Sequence, residues 1–197
     1  MTDYRITKVR LSSEGPVYTP VVSPSGQFLG PAAVEALAVT RDPRRTGQHV
    51  RRVRFVLADE SRPRFPDSPP GCRLEWVEYE RGAVPLTLGE GTGLVVGRIE
   101  SVEVLPRGAT PGAEGAHAIA MATLSDTVLA AVVWRAIQDG TLDGVCAEIN
   151  AWADRESDLT IGGELLGVGL GDLAGSCLPG ARVLSSWEEP APIGAVG

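Results

Sequence analysis

Histidine and aromatic residues are scarce in this chain, and long apolar runs are missing. Among its 197 residues only His49 and His117 are histidines, and the three cysteines, Cys72, Cys146 and Cys177, stand at unrelated spacings with no Cys-x-x-Cys pair. That scarcity excludes the ligand sets of ordinary zinc sites, so neither a metal nor a cofactor is expected. No glycine-rich turn leads into Lys-Ser/Thr or carries the dinucleotide-binding spacing, which argues against a nucleotide site. No apolar run reaches the roughly 20 residues needed to span a bilayer. The opening Met1-Thr2-Asp3-Tyr4-Arg5 lacks the pattern of a secretory leader, so a cytoplasmic location is expected and a membrane is not. In a reducing compartment the cysteines are expected as thiols, with Cys72 and Cys177 the one pairing left open. Basic charge is also short, with 18 Lys and Arg against 25 Asp and Glu, a net charge of −7. General nucleic-acid binding is therefore not expected.

What the chain does have is a 43% hydrophobic fraction carried with only 5% aromatics, together with 24 glycines and 15 prolines. This predicts a β-rich core of small residues with many turns, in a single domain over 1–188 followed by a tail over 189–197. Alternating patterns predict strands over 6–11, 17–22, 50–57, 73–79, 94–105, 116–124, 164–171 and 181–187, with a bulge at Gly97 and a short helix from Pro31 to Leu37. Six arginines fall between Arg41 and Arg54, a third of the 18 basic residues of an acidic chain. They read either as a solvated loop running into an edge strand, or as a docking patch (Arg44, Arg45, Arg51 and Arg52) for an acidic surface, a partner protein or packaged nucleic acid, of which the absence of interleaved aromatics favours the protein.

The most informative stretch runs from Asp126 to Trp152. Asp126 is placed to cap a helix over about 126–139, along which Val128, Leu129, Val132, Val133, Ala136 and Ile137 recur at helical spacing until Gly140 ends it. After Leu142-Asp143-Gly144 comes a strand with Val145, Ala147, Ile149 and Ala151 on one face and Cys146, Glu148, Asn150 and Trp152 on the other. A thiol thus opens a strand just after a glycine turn.

That stretch, the strand Val96-Gly97-Arg98-Ile99-Glu100-Ser101-Val102 and the run from Leu166-Gly167-Val168-Gly169 to Leu178-Pro179-Gly180-Ala181 together resemble the phage prohead (capsid-maturation) proteases and, more distantly, the herpesvirus assembly proteases. The resemblance covers roughly 84–188, leaving 1–83 as N-terminal strands and Arg/Pro-rich loops. It implies an α+β, β-rich fold: a mostly antiparallel β barrel with one long helix and short additional ones. It also implies an oligomer in a virion or host cytoplasm, with capsid or other virion proteins as partners.

Members of that family activate a serine with a histidine. Here Cys146 holds the nucleophile position, Gly89-Glu90-Gly91 stands where the histidine belongs, and His117 falls near the third position. Glu90 would need its pKa raised several units to take a proton from a thiol, and the imidazole sits at the outer place of the set. The resemblance therefore implies an inactive structural or assembly component of a phage-like capsid. The alternative is a working endopeptidase, of cysteine or serine type, that processes the capsid scaffold and itself.

Overall fold

Alternating apolar residues become ten strands, alongside two helices, in the computed structural model, which describes residues 4–7, 21–44, 49–63, 70–80, 83–89, 94–157, 159–171 and 178–191. In chain order, β1 (Arg5–Ile6) and β2 (Val21–Val22) form a small antiparallel pair and α1 (Pro31–Val39) follows. Then come β3 (His49–Asp59), β4 (Cys72–Glu78), β5 (Pro85–Leu88), β6 (Val95–Leu105), β7 (His117–Leu124) and α2 (Val128–Gln138). The last three are β8 (Gly144–Ala153), β9 (Thr160–Gly171) and β10 (Arg182–Pro190). β10 therefore takes in Glu189 and Pro190, which the sequence assigns to the tail.

The strands after β2 form one eight-stranded sheet in the order β10-β3-β7-β6-β5-β9-β4, with β8 also paired to β9. Strands from both sides of residue 84 share it, so β3 and β4 are not a separate layer. The sheet curls into a half-barrel. Its ends approach where the Val183 amide of β10 donates to the Asp143 carbonyl just before β8, at 2.8 Å.

Two expectations are corrected. The sheet is mixed rather than a mostly antiparallel barrel, because β9 takes both β4 and β5 as parallel partners while pairing antiparallel with β8. Nor is there one long helix: α1 has 9 residues and α2 has 11. α2 starts later than predicted because Thr127, not Asp126, is its cap, the Thr127 hydroxyl accepting from the Ala130 amide at 3.2 Å. It ends as the sequence suggests, at Gly140 with φ +74°, where the Leu142 amide turns back to the Ala136 carbonyl.

The core fills the concave side of the sheet. Phe55 and Leu57 of β3, Ala118, Ala120 and Ala122 of β7, and Leu165 of β9 belong to it, together with Leu129 and Val132 of α2. Each fully buried Leu or Val contributes about 1.5–3 kcal/mol, so a core poor in aromatics closes by number of aliphatic side chains. The bulge predicted at Gly97 is present on the β5 side: Leu86 registers with Gly97 but Thr87 with Val95, leaving one extra residue on β6.

Candidate functional site

Alternation along β8 decides where the predicted nucleophile points. Val145 is in the core and Ala147 and Ile149 pack against it, so Cys146 and Glu148 face the convex side. Cys146 is nonetheless only 1% exposed. Its cross-strand partner is Gly169, which registers in turn with Thr87 of β5. Glu148 lies over Gly167, where an added Cβ would stand 3.1 Å from the Glu148 Oε2. The Thr87 hydroxyl is occupied by backbone, 2.9 Å from the Gly89 carbonyl and 3.3 Å from that of Val168. The thiol is thus set among glycines, a threonine and a carboxylate.

His117 does not join it. This residue opens β7, is fully buried, and places Nδ1 3.0 Å from the Gly115 carbonyl, while Nε2 finds no hydrogen-bond partner among the described residues. Ala118 and Ala147 line the same small apolar pocket on the concave side, with Leu57, Leu74 and Leu165. One residue back on each strand, His117 and Cys146 therefore project outward from different walls of the half-barrel. His49, the other imidazole, is exposed at the start of β3 in register with Pro190. Glu90 lies outside the described residues. Among the described residues the expected base and nucleophile are not brought together.

Where His117 does sit is a node the sequence analysis missed. Asp59, its register partner on β3, is fully buried, and Oδ1 accepts from the Ser61 amide (3.0 Å), the Ser61 hydroxyl (2.7 Å) and the Gly115 amide (3.1 Å). Its Oδ2 accepts from the Glu114 amide at 3.2 Å. Burial alone would raise the Asp59 pKa, but the Ser61, Glu114 and Gly115 donors outweigh it and hold the carboxyl below the ordinary aspartate value. Beside it, Glu60 accepts from the Leu74 amide at 2.6 Å. Cys72 points its sulfur at the Asp59 carbonyl, 4.0 Å away. Burial, helped by the charges of Glu60 and Asp59, pushes the Cys72 thiol up to about 12, which makes it inert as a nucleophile. It is a free thiol, and Cys177, the pairing left open for it, lies outside the described residues. The signal that could have found this node is local: Asp59 followed two residues later by Ser61 at a strand end is an Asx-turn pattern.

The predicted docking arginines divide. Arg51 reaches Glu188 of β10 at 2.9 Å and Asp42 at 4.0 Å, with its guanidinium 5.8 Å from the Trp134 ring centre. Arg52 reaches Glu189 at 2.8 Å and the Thr123 hydroxyl at 2.7 Å. Burial opposes ionisation of Glu100, but hydrogen bonds from Arg98 and Thr123 and the charges of Arg98 and Arg52 lower its pKa. The outer face of β10, β3, β7 and β6 is thus stitched through Glu189, Arg52, Thr123, Glu100 and Arg98, while Arg51 lies on the α2 side of β3. Arg51 and Arg52, only 15% and 19% exposed, hold strands together and do not present a free basic patch. Arg44 is exposed, and Arg45 lies outside the described residues. Arg51→Ala is expected to cost about 1–3 kcal/mol, since it strands two carboxylates and uncovers Trp134. Chemical denaturation against Arg44→Ala, expected to be near neutral, checks this.

With this geometry in view, comparison with known proteins adds no relative. No protein family, no curated protein and no solved structure matches the chain. Among the described residues no three His, Cys, Asp or Glu side chains cluster as a metal site, and no helix is long and apolar enough to cross a membrane.

Proposed function

We propose that this chain is a prohead-protease-like protein of a phage or phage-like particle, catalytically inactive, serving as an oligomeric structural or assembly component of the capsid in the virion or host cytoplasm. The observation that supports the inactive reading is the outward projection of Cys146 and His117 from different walls, one residue behind two alanines that share a pocket. A thiol relies on an adjacent base to become a nucleophile at neutral pH, and His117 spends its Nδ1 on the Gly115 carbonyl. Docking, in this reading, falls to the exposed Arg44 and its neighbour Arg45.

Expression in a host producing the particle tests the proposal. The chain is expected to stay at full mass, with an unchanged profile in Cys146→Ala, and to purify with particles at fixed stoichiometry that Arg44→Glu with Arg45→Glu lowers. Self-cleavage products that vanish in Cys146→Ala would restore the endopeptidase reading. Absence from particles would remove the assembly role.

A further inference from the structure

β10 ends the sheet, with β3 on one side and, among the described residues, no strand on the other. An edge of this kind leaves the N–H and C=O of every second residue unpaired, ready for a strand from another chain. Which residues face outward follows from one hydrogen bond. The Val183 amide reaches the Asp143 carbonyl at 2.8 Å, so it points away from β3. One extra residue, Leu184, precedes the pairing of Ser185 with Arg54, and from there the register with β3 runs unbroken to Pro190. Alternation then turns the main chain of Ser185, Trp187 and Glu189 toward β3 and that of Ser186 and Glu188 outward, where no main-chain partner meets it among the described residues. Pro190, next in the outward set, has no N–H to offer, so the usable edge lies between the bulge and that proline. Charge does not guard it either. Glutamates on an edge strand ordinarily repel another strand, but Glu188 is engaged by Arg51 at 2.9 Å and Glu189 by Arg52 at 2.8 Å. Trp187 is half-buried, its indole N–H donating to the Glu189 carboxylate at 3.3 Å.

We propose that β10 pairs antiparallel with β10 of a second copy of this chain, about a two-fold axis at Trp187. In that register Ser186 exchanges both main-chain hydrogen bonds with Glu188 of the partner subunit, and Glu188 does the same with Ser186 of the partner subunit, so every outward group between the bulge and Pro190 is used. An axis at Ser186 or at Glu188 would instead spend an outward group on the bulge or on the proline. No two glutamates meet, because Glu188 faces a serine and Glu189 faces Ser185 of the partner subunit. The two Trp187 side chains become a cross-strand pair on the outer face, with Cβ atoms about 4.5–5.5 Å apart, a favourable aromatic contact. A two-fold interface has to be complementary to itself, and this edge meets that condition without any second sequence. The pairing is argued from β10 alone and stands whether or not the chain serves a capsid.

Sedimentation equilibrium of the full chain, combined with cross-linking, tests it. One strand pair is a small interface, so the wild type is expected to exchange between monomer and dimer with a dissociation constant of about micromolar or weaker. Trp187→Lys sets like charges opposite each other and is expected to weaken the dimer about tenfold or more, whereas Trp187→Phe keeps it. With oxidised glutathione, Trp187→Cys is expected to give a disulfide-linked dimer above the wild-type background. Ser185→Cys is not, since its counterpart lies farther along the partner strand than a disulfide spans. The cross-link reads position, so a fold weakened by the lysine does not imitate it. A chain still monomeric at about 1 mM, a dimer that Trp187→Lys leaves at full strength, or cross-linking through position 185 in preference to 187 overturns the proposal.

Discussion

Asp59→Ala is expected to be the most destabilising single change at a polar residue in this protein, by about 3–5 kcal/mol, the range for removing one partner of a buried charged network. Four donors lose their acceptor together: the amides of Ser61, Glu114 and Gly115 and the Ser61 hydroxyl. They tie the end of β3 to the loop that enters β7, so the loss loosens two central strands at once. Asp59→Asn keeps one accepting oxygen and is expected to lose less. The pH dependence has a definite sign. A carboxyl whose folded pKa is depressed contributes stability that is present above its unfolded value, close to 3.8, and that is lost as pH falls through the folded value. Denaturant melts at neutral and strongly acidic pH should show that component in the wild type and not in Asp59→Ala. Equal midpoints at neutral pH would contradict the assignment.

Gly97→Ala follows, at about 3 kcal/mol or more, through sterics alone. A Cβ at Gly97 would stand 2.3 Å from the Thr123 carbonyl oxygen and 3.1 Å from the Leu124 Cα, both backbone of the neighbouring strand. Neither atom moves without breaking the pairing of β6 with β7. Gly108→Ala is the comparison, for there nothing lies within 4 Å and only the left-handed φ of +78° resists a side chain. That change is expected to cost about 1–2 kcal/mol. Similar losses for both would mean that β6 and β7 approach less closely than described.

Sequence patterns carried β3, β6, β7 and α2 well, because each has a long run in which one face alone is apolar. β5 was not legible: in Pro85-Leu86-Thr87-Leu88 the leucines and threonine are all buried, and a run apolar on both faces has no period to read. The parallel pairing of β9 with β4 and β5 was hidden as well, since residue alternation fixes faces but not direction. At the candidate site, alternation along β8 placed Cys146 opposite Val145, as found. What it lacked was the position of β7 across the half-barrel, and so His117 looked like a partner when it caps a different wall. Arg51 and Arg52 looked like free charge because their acceptors, Glu188 and Glu189, lie 137 residues away.

The most direct test of the account is the pH dependence of Cys146 alkylation by iodoacetamide in the native protein, followed site by site by mass spectrometry. The account predicts that Cys146 is protected at all pH values where the chain is folded and becomes reactive only with global unfolding, in His117→Ala as in the wild type. Rapid labelling at neutral pH that His117→Ala abolishes would contradict it, because the two side chains would then have to meet.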